Sequence, residues 1–255
     1  MSSPRSPNSP GAEAMLSRAL DIVVSATGLA LSAPFILFGI VGIKLASPGP
    51  AFFRARRMGR SGRPFEMLKL RTMHVDDGRG AQITSANDAR VFQFGRFLRA
   101  SKIDELPQLW NVLTGEMSLV GPRPEAVGIV KQHYTDWMME TLAVRPGVTS
   151  PGAIFYYTRG EHLVDDADPE GSYARDLLPP KLAIERAYIE RQTVFTDIAV
   201  IARTIWTVLA ILAGKRNFAL PSEAARAKRW ARFDQETPRA ADRAARLPIE
   251  KETRL

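Results

Sequence analysis

Ile22-Val23-Val24-Ser25-Ala26-Thr27-Gly28-Leu29-Ala30-Leu31-Ser32-Ala33-Pro34-Phe35-Ile36-Leu37-Phe38-Gly39-Ile40-Val41-Gly42-Ile43 carries no charged residue over its whole length. If helical, a run of about 22 residues is long enough to cross a hydrocarbon core. It is too long for a simple secretory signal and has no convincing cationic start or cleavage site. A buried core helix is the alternative. Pro34 stands near the middle, where it removes a helix hydrogen bond and predicts a kink. Thr27 and Ser32 are placed to satisfy freed backbone groups. Arg18 and Asp21 at the front edge suit a polar pair at headgroup level. Behind the run come Lys44, Arg54, Arg56, Arg57, Arg60 and Arg63, which mark that side as cytoplasmic. A straight span would put the N-terminus outside; a kinked hairpin would keep it inside. These residues leave both open.

Upstream, residues 1–14 are rich in Ser, Pro and Gly and predict a disordered tail. Ser47-Pro48-Gly49-Pro50 is a turn. Short strands are expected at Ala51–Arg54 and Phe65–Leu70, with a glycine-containing loop, Met58–Pro64, between them. A second loop is expected over Gln82–Asp88, then a basic helix over Phe92–Ala100. Pro107–Leu113 predicts a helix opened near Asp104 and ended near Gly115. Further helices are expected at Glu125–Trp137, Pro180–Gln192 and Val194–Leu212. In the last, Ile198, Ile201, Ile205, Val208, Leu209 and Leu212 recur at helical spacing. Asp197 and Arg203 there favour an interfacial or core-facing helix over a free span. From Glu223 onward, alternating Ala, Arg, Lys and Glu predict a solvated helix and tail. The predicted fold is mixed α/β and mostly helical. It comprises a tail (1–14), a membrane helix (15–46), a catalytic-sized domain (47–215) and a charged C-terminal extension (216–255).

The chain has 255 residues, 45% of them apolar, with a formal charge of +8 and no cysteine. These values fit a folded domain with appendages and exclude a disulfide scaffold or a cysteine zinc site. The positive balance points to anionic partners: nucleic acid, anionic lipid or phosphorylated ligands. His74, His133 and His162 show no metal-ligand spacing, and neither a P-loop nor a dinucleotide fingerprint is present.

The polar residues with chemical potential concentrate between Arg96 and Glu125. Asp104-Glu105 precedes Pro107, a position suited to the first turn of a helix. The pair can simply cap that helix and answer its dipole. The same position would keep a carboxylate ionised and favour phosphate nearby. Two adjacent carboxylates can hold Mg²⁺ against a diphosphate, and one can attack phosphorus to form an acyl phosphate. Arg99, Arg123 between Pro122 and Pro124, Lys69 and Arg71 are candidate phosphate-binding cations. Each taken alone is more often a solvated surface charge.

Several motifs together resemble the bacterial sugar transferase family, the monotopic polyprenyl-phosphate phosphoglycosyl transferases. They are Ser47-Pro48-Gly49-Pro50-Ala51-Phe52-Phe53-Arg54, Gly62-Arg63-Pro64-Phe65 and Lys69-Leu70-Arg71-Thr72-Met73. To these are added Asp104-Glu105-Leu106-Pro107-Gln108-Leu109-Trp110-Asn111-Val112-Leu113, Gly115 through Glu125, and Arg145-Pro146-Gly147-Val148-Thr149. The resemblance runs from about Arg18 to Ala210. It implies a re-entrant membrane helix broken at Pro34, a small catalytic domain on the cytoplasmic face of the bacterial inner membrane, and interfacial amphipathic helices. It implies transfer of a sugar-1-phosphate from a nucleotide diphosphate sugar, with UDP the expected nucleotide, to undecaprenyl or another polyprenyl phosphate. Such a step starts exopolysaccharide, O-antigen or glycoconjugate assembly. Asp104 falls on the family's nucleophile, Asp104 and Glu105 on its Mg²⁺ pair, Arg99 on its phosphate-binding arginine, and Pro122-Arg123-Pro124 on its Pro-Arg-Pro turn. Membrane lipid is an expected partner, nucleic acid is not, and an oligomer is left open.

The chain departs from the family pattern in three places. Ser17-Arg18 stands where Lys-Arg is frequent, and Ala33-Pro34 stands for the Ser-Pro break. Ser150-Pro151-Gly152-Ala153-Ile154 replaces Gly-x-Ala-Gln-Val, which bears on sugar and nucleotide contacts. Three rival readings are a non-enzymatic basic membrane-surface or nucleic-acid-binding protein, a polyprenyl pyrophosphate phosphatase, and a catalytically inactive scaffold. The first predicts loosely placed Lys and Arg and does not explain a carboxylate pair inside a basic segment. Release of nucleoside monophosphate from a nucleotide sugar separates the phosphatase from the transferase. The intact Asp104-Glu105 and Arg123 argue against the scaffold.

Overall fold

The computed structural model describes residues 12–75, 88–160, 164–165 and 167–230. Residues 82–87 of the expected loop, residues 1–11 of the expected tail and residues 231–255 of the extension lie outside the described residues. The structure is mixed α/β and mostly helical. Helix α1 runs Ala12–Ala46 and, at about 1.5 Å per residue, is close to 50 Å long. It is continuous through Pro34, so the backbone shows no break there. Ser25 and Ser32 Oγ each donate back to the carbonyl three residues earlier, Ile22 and Leu29.

One flank of α1 is part of the domain core. Ile43 packs with Leu70, Phe92 and Leu98, all buried, and Ile36 and Ile40 join them. Burying side chains of this size contributes about 1.5–3 kcal/mol each. Close approach depends on glycine: a Cβ at Gly42 would lie 2.2 Å from the Phe94 ring, and one at Gly39 2.5 Å from Leu70 Cδ1. Arg18 and Asp21, the pair expected at headgroup level, face the domain. Arg18 donates to the carbonyls of Val112 and Leu113 at 2.7 and 2.9 Å. The Asp21 carboxylate accepts from Ser118 Oγ and Leu119 N. Sequence alone missed this because the partners lie more than 90 residues away. The opposite flank of α1 exposes Leu31, Phe35, Leu37, Phe38 and Leu45, a row of large apolar side chains of the kind that marks a membrane or partner surface.

Strands β1 (Phe52–Met58) and β2 (Pro64–Leu70) form an antiparallel hairpin with Phe52 opposite Leu70. Its turn holds Gly62 at φ +72°, a conformation natural to glycine. Helix α2 (Gln93–Ala100) leads to a 3₁₀ turn, Ile103–Glu105, and then helix α3 (Gln108–Thr114), closed by Gly115 in the left-handed region. Strands β3 (Ser118–Val120) and β4 (Gly147–Thr149) pair in parallel. Between them, the single helix expected over Glu125–Trp137 is instead α4 (Val127–His133) and a short α5 (Asp136–Met139). The chain turns extended at Tyr134 and Thr135 between the two.

Helix α6 (Pro151–Phe155) continues into a π-helical turn, Tyr156–Gly160. A short α7 (Pro169–Ser172) leads through a second π-helical turn to α8 (Leu178–Ile189), then α9 (Val194–Leu212) and a short α10 (Ala224–Ala227). The largest core cluster gathers Leu177, Leu178, Leu182, Ile184 and Ala187 with Ile129, Met138 and Phe155. Helix α9 is pinned by polar contacts: Tyr188 Oη donates to buried Asp197, and Arg203 pairs with Glu223 at 2.7 Å. Its other face leaves Phe195, Ile198, Ile205, Leu209 and Leu212 exposed. Helices α1 and α9 are both long and apolar enough to cross a membrane.

Candidate active site

Three segments meet around Glu105. Asn111 in α3 is buried, and its amide clasps β2, accepting from Leu68 N at 2.9 Å and donating to Glu66 O at 2.8 Å. That contact sets the register that delivers Lys69. The β3–β4 pairing delivers Arg123. Gly121 and Gly147 abut so closely that a Cβ on Gly147 would lie 2.2 Å from Gly121 N. The buried prolines Pro122 and Pro124 fix the backbone on either side of Arg123.

Glu105 Oε1 accepts from Arg123 Nη2 at 2.6 Å and from Tyr157 Oη at 3.4 Å, and lies 3.7 Å from Lys69 Nζ. Arg123 Nη1 also donates to Val148 O at 3.1 Å. Lys102 Nζ sits 3.7 Å above the Tyr157 ring. Burial opposes the charge on Glu105, but Arg123, Lys69 and Lys102 outweigh it and hold this carboxyl well below the usual carboxylate range. Burial of Lys69, partly offset by Glu105, lowers its ammonium to about 8.

Asp104 behaves oppositely. The residue is 5% exposed, and Oδ1 has no hydrogen-bond partner. Burial, then the neighbouring Glu105 charge, pushes it up to about 6 against the pull of Lys69, Lys102 and Arg99. The pair does not occupy the expected terminus of the helix that follows. Asp104 lies in the 3₁₀ turn, Pro107 is the N-cap of α3, and neither side chain caps a helix. Two adjacent carboxyls are thus driven apart, one ionised within a cationic clamp and one desolvated with an orphaned oxygen.

These residues suit a hard divalent ion. Asp104 and Glu105 supply oxygen donors, and Asp104 Oδ1 has a lone pair to spare. Among the described residues no cluster of three His, Asp or Glu is placed to hold a metal. Mg²⁺ tolerates so few protein ligands, because water and substrate phosphate oxygens complete its shell.

Of the predicted phosphate-binding residues, Lys69 and Arg123 reach the pair, with Pro122 and Pro124 behind Arg123. Arg99 stands at the edge, its Nε donating to Thr72 Oγ1 at 2.8 Å, and its charge acts on Asp104. Arg71 is turned elsewhere. It is buried, and its guanidinium donates to Pro50 O, Ser47 O, Ser47 Oγ and Met73 O. Those acceptors consume its fork, so it ties down the Ser47–Pro50 turn.

Sequence reasoning missed Lys102, Tyr157 and Glu185. Lys102 carries φ +58° at the entry to the Asp104 turn, an uncommon conformation for a side-chain residue. Its spacing of two residues from Asp104 was an available signal. Tyr157 has none; the π-helical turn brings it in. Glu185, fully buried, accepts from Ser150 Oγ at 2.5 Å and Arg123 N at 3.4 Å, and lies against Gly152. It joins the Arg123 backbone to the start of α6.

The profile of the family described as bacterial sugar transferase matches residues 12–211. The chain belongs to the bacterial sugar transferase family. It is 40% identical over 196 residues to a UDP-glucose:undecaprenyl-phosphate glucose-1-phosphate transferase of Caulobacter vibrioides, covering 75% of this chain and 69% of that protein. A protein of the same description from Xanthomonas campestris is 41% identical over 69% of this chain and 35% of its own length. A UDP-N-acetylgalactosamine-undecaprenyl-phosphate N-acetylgalactosaminephosphotransferase of Aeromonas hydrophila is 34% identical over 77% of this chain and 44% of its own. The family match takes in α1 together with the domain, in agreement with their shared core.

Proposed function

We propose that this sugar transferase moves a sugar-1-phosphate from a UDP-sugar to undecaprenyl phosphate, the first step of an exopolysaccharide or related glycan. The observation that carries the mechanism is the desolvated Asp104 with its orphaned Oδ1, beside a Glu105 clamped by Arg123 and Lys69. Relatives named for glucose-1-phosphate and N-acetylgalactosamine transfer to undecaprenyl phosphate support the donor and acceptor classes.

In the first half, an Asp104 carboxylate oxygen bonds to the sugar-bearing phosphorus. The bond from that phosphorus to the bridging oxygen breaks, and UMP leaves with the electron pair. In the second half, a phosphate oxygen of the lipid attacks the same phosphorus. The acyl-phosphate bond breaks, Asp104 is regenerated, and the product is a lipid diphosphate sugar. The acceptor is already anionic, so no strong base is needed. Burial makes Asp104 more basic than a solvated carboxylate, which favours it as a nucleophile. Arg123, Lys69 and Arg99 are placed to neutralise charge on the equatorial oxygens. Asp104 and Glu105 would hold Mg²⁺, which supplies further neutralisation of the diphosphate when bound.

Helix α1 is proposed to enter and leave one leaflet with a bend at Pro34, keeping the domain on the cytoplasmic face. The basic residues beyond α1 support the cytoplasmic face of the domain, the exposed apolar flanks of α1 and α9 support membrane contact, and Pro34 is where the bend would form. Mass spectrometry of protein incubated with UDP-sugar and Mg²⁺ but no lipid tests the mechanism. A sugar-phosphate adduct on the Asp104 peptide, absent in Asp104→Asn, is expected. UMP release only when both substrates are present, or an adduct elsewhere, overturns it.

A further inference from the structure

Glu105 Oε1 takes hydrogen bonds from two distant parts of the chain, Arg123 and Tyr157. Arg123 stands in the loop after β3, and Tyr157 in the π-helical turn that continues α6. Both segments are tied a second time, to one oxygen of Glu185 in α8. Glu185 Oε1 accepts from the Arg123 backbone N–H at 3.4 Å and from Ser150 Oγ at 2.5 Å. Ser150 Oγ in turn accepts from Ala153 N at 2.9 Å and so caps α6. The same two arms therefore meet at Glu105 through their side chains and at Glu185 through their backbones. Glu185 is 0% exposed, and among the described residues its Oε2 has no hydrogen-bond partner. Burial pushes its carboxyl up to about 7. A buried carboxyl left half satisfied weakens a fold, so stability does not account for its presence. The packing also holds it in one pose: a Cβ at Gly152 would lie 2.5 Å from Oε1 and 2.7 Å from Cδ.

We propose that Glu185 is a positioning residue for the transfer, an inference that rests on the transferase reading. It locks the Arg123 backbone to the start of α6, so that the Arg123 and Tyr157 side chains converge on Glu105. Glu185 acts through those two arms and touches neither substrate. The task requires an acceptor oxygen at this place rather than a negative charge, because both of its donors, a backbone N–H and a hydroxyl, are neutral. Small displacements matter here: a shift of about 1 Å in a group that must meet a transition state can slow a reaction up to about 10²-fold.

Glu185→Met keeps the length of the side chain and removes both oxygens, while sparing the fold a buried carboxyl. The readout is the UMP burst given without lipid by UDP-glucose or UDP-N-acetylgalactosamine, whichever the wild-type protein uses. The burst rate constant should fall about tenfold or more, with the amplitude per folded protein kept. Glu185→Gln still presents Oε1 and should restore the rate to within about threefold of wild type. In protein already carrying Arg123→Ala and Tyr157→Phe, Glu185→Met should slow the burst by less than about twofold more, since the groups it positions are gone. A Met variant as fast as wild type, a Gln variant as slow as the Met variant, or a full further loss in the doubly substituted protein each overturns the proposal. A fall in amplitude at an unchanged rate constant makes Glu185 a residue of the fold alone and overturns it too. If Glu185→Met does not fold, Ser150→Ala decides. It should slow the burst about threefold or more, but not in Tyr157→Phe protein, and an unchanged rate overturns the proposal. A wild-type protein with neither burst nor transfer removes the transferase reading itself, a result distinct from unchanged rates in working variants.

Discussion

Arg123 Nη2 donates to Glu105 Oε1 at 2.6 Å, a charge-assisted contact between two side chains that are each less than 15% exposed. Burial would favour a neutral Glu105; Arg123, the strongest opposing influence, keeps it ionised. The resulting negative charge in turn pushes Asp104 upward. Arg123 therefore acts directly on Glu105, and through the Glu105 charge on Asp104, whose own burial is the larger influence. Arg123→Ala should lower turnover by about 10²–10³, the usual loss for one donor aimed at developing charge. Circular dichroism should show the variant folded. Turnover within a few-fold of wild type would return Arg123 to a structural role.

Arg71 gives the opposite pattern. Its donors satisfy four acceptors around the Ser47–Pro50 turn. Arg71→Ala leaves the buried Ser47 carbonyl without its partner, unties the Pro50 and Met73 carbonyls, and should cost on the order of 2–4 kcal/mol of stability. Loss of activity should track loss of folded protein in thermal denaturation. A stable variant with a raised KM for the nucleotide sugar would restore Arg71 as a phosphate ligand.

Lys102 is held at φ +58°, which costs an ordinary side-chain residue about 1 kcal/mol. Lys102→Gly relieves that strain and removes the cation above Tyr157, two effects of similar size. The thermal midpoint should therefore change little, whereas turnover falls at least tenfold. Undiminished turnover would show that the strained lysine serves the fold alone.

Burial raises the Glu185 carboxyl to about 7, against partial opposition from Ser150 and Lys181. The folded state then binds more protons than the unfolded state between about 4.5 and 7, so stability falls as pH rises through that window and levels off above it. The accumulated penalty is about 3 kcal/mol above the folded value. Glu185→Gln should flatten this dependence and stabilise the protein at alkaline pH. An unchanged slope in urea titrations across the window would show that Glu185 is not its source.

Both termini are expected on the cytoplasmic side. Cysteines introduced at Ser6 and Ser222 should both escape an impermeant thiol reagent on intact cells and react after lysis. Labelling of the first alone would establish a true span and displace the hairpin topology.

The apolar run, the paired carboxylates and the Pro122-Arg123-Pro124 turn are legible in the linear sequence because each is a local pattern of hydropathy, charge or backbone stiffness. So are most helices and the β1–β2 hairpin, which need only short-range periodicity and a turn. Asp104 and Glu105 could be singled out in the same way, but not the opposite shifts of their carboxyls. Those shifts depend on burial and on cations delivered from β2 and from the loop after β3. The turning of Arg18 and Asp21 inward, the diversion of Arg71 and the arrival of Tyr157 and Glu185 were likewise decided by tertiary packing. A side chain's partner across many tens of residues is fixed by which elements must share a core. Composition constrains that choice, but only the folded geometry selects it.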